Sequence, residues 1–105
     1  MSAEQLKFKL RKILGKQIKF NKDFEKYALQ LKNRDSLLSW CKKIQNKEIA
    51  PIPSSIFNDT IIFIKKIGSS NRCIVIKIKN DKFSELHLAS HSYYDKLRKV
   101  LGLKK

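Results

Sequence analysis

Three β-branched runs follow one another near the end of this chain: Thr60–Ile67, Arg72–Lys79 and Phe83–Ala89. The links between them, Gly68-Ser69-Ser70-Asn71 and Asn80-Asp81-Lys82, are turn residues and too few for a crossover helix. The runs are therefore expected to pair as antiparallel hairpins, and the resulting sheet must bury a face. The register of the second hairpin follows from that need. A three-residue loop sets Lys77 against Glu85, Ile76 against Leu86, Val75 against His87 and Ile74 against Leu88. One face then carries Ile74, Ile76, Ile78, Leu86 and Leu88; the other carries Val75, Lys77, Glu85 and His87. A two-residue loop would oppose Ile76 to Glu85 and Ile74 to His87 and mix the faces. Register follows the buried face, so the three-residue loop is expected, with a polar side left open.

The helices that would cover the apolar side lie upstream. Leu6, Leu10, Ile13 and Leu14 form a helical stripe over 3–14, although Phe8 also permits a strand over 6–10. Gly15 stops that element. Lys16–Phe20 is a short strand, and Asn21 is placed to cap the next helix. Phe24, Tyr27, Ala28 and Leu31 make a stripe over 22–32; Leu37, Trp40, Cys41 and Ile44 make another over 36–46. With Asn33-Arg34-Asp35 between them, these two helices are expected to form a hairpin. Trp40, inside a leucine stripe, is a core residue. Pro51 and Pro53 hold 49–59 as an extended loop. A last helix opens at Ser92, where Ser92 and Asp95 resemble a capping box. Leu97, Val100 and Leu101 give its apolar side, and Gly102 ends it. The expected fold is α+β: a helical hairpin on one face of a small, mainly antiparallel sheet, with a short C-terminal helix.

At 105 residues the chain is a single domain, 1–105, with residues 1–16 as a helical extension. A hydrophobic fraction of 42% argues against disorder. Lys and Arg number 24 against 9 acids, for a formal net charge of +15. Surface lysines aid solubility, but this excess predicts a polyanionic partner, nucleic acid or the ribosome. A membrane is not expected as partner, because no segment is long and apolar enough to span one and the basic first helix lacks an interfacial anchor. Met1–Leu14 carries charges throughout, unlike a secretory signal. Cys41 and Cys73 read as buried thiols of a reducing, cytoplasmic setting. Two cysteines, two histidines and scattered acids predict neither a metal site nor a carboxylate pair. There is no glycine-rich phosphate loop or G-x-S-x-G elbow, and no small-molecule cofactor is expected.

The polar residues of the C-terminal part are cations, imidazoles and phenols: Lys65, Lys66, Arg72, Lys77, His87, His91, Tyr93 and Tyr94. This set suits cleavage of RNA by its own 2′-hydroxyl without metal. The reaction needs a base for the 2′-OH proton, an acid for the leaving 5′-oxygen and cations around the phosphate. Histidine serves as base or acid near neutral pH. Arginine and lysine stabilise the developing charge, and tyrosine stacks on bases or shares in proton transfer. His87, His91, Arg72 and Tyr94 are the expected catalytic residues; Lys65, Lys66, Lys77 and Tyr93 are expected to bind RNA.

From Gln17 to about Leu101 the chain resembles the RelE/ParE toxin superfamily. Ile18-Lys19-Phe20-Asn21-Lys22-Asp23-Phe24 is similar to that family's opening strand and first helix. Asn71-Arg72-Cys73-Ile74-Val75-Ile76 resembles its central strand, which opens with an arginine. Leu86 to Tyr94 resembles its last strand and the tyrosine just beyond. The resemblance implies a ribosome-dependent endoribonuclease that cuts messenger RNA and is held inactive by an acidic antitoxin. It implies that Arg72 holds the scissile phosphate, that Lys65 is the upstream basic residue, and that Tyr94 or Tyr93 stacks or transfers a proton. His87 and His91 stand where many members carry an arginine, and Met1–Lys16 has no counterpart. A gyrase-inhibiting relative and a non-catalytic binding module are the alternatives.

Overall fold

Each apolar stripe becomes an element of an α+β fold in the computed structural model, which describes residues 2–68 and 70–103. In chain order these are α1 (Ala3–Leu14), β1 (Lys19–Phe20), α2 (Phe24–Leu29), α3 (Arg34–Gln45), β2 (Ile52–Pro53), β3 (Thr60–Ile67), β4 (Asn71–Ile78), β5 (Phe83–Ser90) and α4 (His91–Val100). The strands form one sheet in the order β1-β5-β4-β3-β2. β1 runs parallel to β5, and every other pairing is antiparallel. Ser69, in the first hairpin turn, lies outside the described residues.

Local chemistry accounts for the element ends. The Ser2 hydroxyl accepts from the Gln5 amide and the Gln5 side chain accepts from the Ser2 amide, a reciprocal cap that starts α1. Leu6, Leu10 and Leu14 face inward, and α1 packs chiefly on α3, so residues 3–14 are part of the helical layer. α2 is shorter than its stripe and stops at Leu29. Asn21 does not cap α2. Its carboxamide donates to the Leu88 carbonyl at 2.8 Å and accepts from the Leu88 amide at 2.9 Å. A side chain thus continues the β1–β5 ladder where the backbone has left it. Part of the expected loop 49–59 is also a strand: Ile52 and Pro53 pair with Ile62 and Ile61 at the sheet edge, where a proline costs no ladder bond.

The structure overturns the expected register of the second hairpin. Ile78 N–H donates to the Lys82 carbonyl, so the loop is Lys79–Asp81, with Asn80 left-handed at φ 61°. Lys77 then opposes Phe83, while Ile76 opposes Glu85. Ser84 is the extra residue of a bulge, and it shifts the parity of β5 against β4. Beyond it Val75 pairs with Leu86, Ile74 with His87 and Cys73 with Leu88. Lys77 and Glu85 are not cross-strand partners. The arrangement rejected for mixing the faces is the one adopted, because both faces are covered. Cys73, Val75, Leu86 and Leu88 join α1, α2 and α3 in one core that includes Phe24, Trp40 and Phe63. Ile62, Ile74 and Ile76 join Leu101, with Tyr94, Leu97 and Leu103 packed against them, in a second core under α4. The side expected to lie open is therefore the floor of α4.

α4 begins one residue earlier than expected. Ser90 is its cap, accepting from the Tyr93 amide at 3.2 Å, so the Ser92–Asp95 box does not form. Its far end is clamped by the β2–β3 segment: Ser54 Oγ donates to the Leu101 carbonyl and Ser55 Oγ to the Gly102 carbonyl. Gly102 is left-handed at φ 67°, and a Cβ there would fall 2.5 Å from Ser55 Oγ. Only glycine lets the chain turn this close to the clamp.

Candidate functional site

The pleat of the sheet sorts the expected site residues. On the α4 side, β3–β4 pairing sets Lys66 against Arg72, and β4–β5 pairing sets Arg72 against Ala89 and Ile74 against His87. Lys65 pairs with Cys73, and Lys77 with Phe83, on the helix-covered side. Lys65 and Lys77 therefore stand apart from Arg72 and His87, contrary to the expectation that Lys77 shares the face of His87. The Lys77 ammonium lies 5.6 Å from the Phe83 ring centre.

Around α4 two groups assemble. In the first, the Tyr94 ring is flanked by two guanidiniums, Arg72 and Arg98, each 5.9 Å from its centre. Arginine stacks on tyrosine through its flat charged face and leaves its edge N–H groups for an anion. Arg72 also donates to the Asn71 carbonyl at 2.9 Å, which orients it. His91 lies 6.0 Å ring to ring from Tyr94. Its Nε2 is 3.3 Å from an Asp95 oxygen, whose other oxygen is 3.7 Å from Arg98. Asp95, expected as a cap, instead holds His91 and Arg98 together.

The second group is a hydrogen-bonded chain. His87, only 7% exposed, has Nε2 3.0 Å from Glu85 Oε1 and Nδ1 2.9 Å from the Tyr93 hydroxyl. A carboxylate only accepts, so Nε2 carries a ring proton, and whenever the ring is neutral Nδ1 accepts the Tyr93 O–H. The order is carboxylate, imidazole, phenol, with the imidazole buried and both ends reaching solvent, the Tyr93 residue 37% and the Glu85 side chain 44% exposed. Burial first, then the Glu85 and Asp23 carboxylates, push the Tyr93 phenol above its ordinary value. The hydroxyl keeps its proton at neutral pH and can pass it only as it gains another.

Sequence reasoning put Glu85 on the face of His87 but gave it no role, and it left Arg98 out of the site. Both had a signal. Glu85 is two residues from His87 on a strand and so shares its face; Arg98 is four residues from Tyr94 on a helix. The Tyr93–His87 contact had none, since it depends on how α4 turns back over β5. The thiols lie elsewhere. Burial raises Cys41 to about 12 against the partial opposition of Lys65, and burial also raises Cys73 well above its ordinary value, with Cys41 adding to the effect and Lys65 opposing it. Both are buried in the helix-side core, which makes them poor nucleophiles. Among the described residues no group of histidine, cysteine and acids is arranged to hold a metal, and no helix is long and apolar enough to cross a membrane. No family model, no curated protein and no solved structure matches the chain.

Proposed function

We propose that this protein is a metal-independent, ribosome-dependent endoribonuclease of toxin type, acting on messenger RNA in the cytoplasm and restrained by an acidic protein partner. The observation that carries the reading is a hydrogen-bonded chain, Glu85–His87–Tyr93, set beside a cluster of Arg72, Tyr94 and Arg98 on one side of one sheet. Arg72 and His87 lie on the same face of adjacent strands, where Arg72 opposes Ala89 and Ile74 opposes His87, and α4 brings Tyr93 to His87 and Tyr94 to Arg72. What supports the reading in the element order is β1 leading into α2, and tyrosines just beyond the last strand of the β3–β4–β5 meander; α1 and β2 are additional to it.

The chemistry divides as follows. Arg72 and Arg98 hold the scissile phosphate, with Lys66 adding charge, and stabilise the pentacoordinate state. The Tyr93 oxygen takes the 2′-hydroxyl proton while its own proton moves to His87 Nδ1. The imidazolium so formed is stabilised by Glu85, which stays ionised throughout. The 2′-oxygen bonds to phosphorus and the bond to the 5′-oxygen breaks. Protonated His91, steadied by Asp95, supplies the proton to that leaving oxygen. The products are a 2′,3′-cyclic phosphate and a 5′-hydroxyl end, and solvent exchange resets both histidines. Tyr94 positions the guanidiniums. This division exchanges the roles expected of the two tyrosines: Tyr93, expected to bind RNA, transfers the proton, and Tyr94, expected as catalytic, positions the guanidiniums.

The charge of +15 also favours a second reading, a module that binds RNA or ribosome without cutting. Translating ribosomes incubated with the protein separate the two. Mapped message ends carrying 2′,3′-cyclic phosphate, lost in His87→Ala, are expected. Intact message on ribosomes that retain the protein would establish the non-catalytic reading.

A further inference from the structure

On the far side of the sheet from α4, the groove between α1 and α3 has the makings of a second nucleic-acid surface. It encloses about 530 Å³ and is lined by Lys9, Lys12 and Lys42, with Ile13 and Leu38 as its floor and Asp35 and Ser39 at its rim. The three lysines are exposed. They differ in this from their neighbours on α1: Lys7 is held by Glu4 and Glu25, and the Arg11 guanidinium sits 5.0 Å from the Phe20 ring centre. A second depression, lined by Glu4, Gln5, Phe8 and Lys9, adjoins the groove through Lys9. Phe8 is 58% exposed there, and the Lys12 ammonium rests 4.6 Å from its ring centre.

We infer that the α1–α3 groove binds single-stranded RNA, with Lys9, Lys12 and Lys42 on the backbone phosphates and Phe8 as a stacking platform for one base. Lysines along a groove beside an exposed aromatic ring are the pattern by which single strands are held without sequence choice. The Lys12 ammonium occupies the ring only as a weak cation–π contact. A base that displaces it releases the charge toward a phosphate. An acidic helix as occupant fits less well, because it needs apolar anchor pockets, and the floor offers only half-buried Ile13 and buried Leu38. The site does not depend on the α4 chemistry, so a protein with no nuclease activity would still have it.

The test is equilibrium binding of a fluorescent oligouridylate across a salt series, made in an Arg72→Ala background so that cleavage plays no part. Lys9→Glu/Lys12→Glu/Lys42→Glu is compared with the charge-matched triple Lys19→Glu/Lys79→Glu/Lys82→Glu, whose residues are also exposed. The groove triple is expected to bind at least ten-fold more weakly than the control triple. Its log–log salt slope should be shallower by about 2, as for three lost phosphate contacts. Phe8→Ala, at an exposed position, is expected to weaken binding about five-fold or more with its salt slope unchanged. Equal losses in the two triples would show that only diffuse charge acts, and would overturn the site. Binding of Phe8→Ala indistinguishable from the parent would overturn it as well. Matching thermal melts confirm that each variant is folded.

Discussion

The two sides of the sheet use the same strands for opposite ends. Toward α1, α2 and α3, β4 and β5 offer Cys73, Val75, Leu86 and Leu88 to a broad dry core. Toward α4 they offer Ile74 and Ile76 to a small core, and then Arg72, Glu85 and His87 to a polar margin that α4 completes with Tyr93, Tyr94, Asp95 and Arg98. The first side is built for burial. The second buries just enough to hold α4 in place, and Tyr93 meets His87, and Tyr94 meets Arg72, only because α4 is held. Stability and chemistry are therefore separable by face, and substitutions on the two sides should fail in different ways.

The largest effect concerns pH. The Cys41 thiol, on the helix side, is raised from 9.0 to about 12, and Cys73 is raised as well. The folded chain keeps these protons while the unfolded chain releases them, so stability is full below pH 9 and drains away as pH climbs toward 12. Cys41 alone accounts for roughly 4 kcal/mol over that window. Urea melts at pH 7 to 11 should show the decline, and Cys41→Ala/Cys73→Ala should flatten it; an unchanged slope would break the account of that core. Next in size is Leu86→Ala, fully buried on the same side, expected to cost about 2–5 kcal/mol in urea or thermal melts. A cost below about 1 kcal/mol would mean the helix side is not what anchors the fold.

Across the sheet, Arg72→Ala should lower message cleavage on the order of a hundred-fold while shifting stability by less than about 1 kcal/mol. Comparable losses in both would erase the distinction between the faces. The smallest effect sharpens it. Tyr93→Phe removes one hydroxyl and leaves His87 Nδ1 buried without its donor, for a cost of about 1–2 kcal/mol in thermal melts. Cleavage should fall as well. Tyr94→Phe, which keeps the ring beside the two guanidiniums, should leave both nearly unchanged. If Tyr94→Phe proves the more damaging, the roles of the two tyrosines are reversed.

The sequence by itself determined most element types, the edge strand at Ile52–Pro53 excepted. Stripes of leucine and aromatic residues specified α1, α2 and α3 and put Trp40 inside, because the 3.6-residue period is local. The alternation and turn residues of 60–89 specified three antiparallel strands for the same reason. The unbroken run Cys73-Ile74-Val75-Ile76 also held a warning, since four consecutive buried residues require cover on both faces. Only the tertiary structure decided which face each residue of β5 would take. One bulge residue, Ser84, reverses that choice for everything after it, and its energy depends on α4 being present to cover the second face. His87 met Tyr93 through that reversal, and Lys65 parted from Arg72 through the pleat. A strand's parity is set by distant packing, so the residues that could do chemistry were legible one by one, and their company was not.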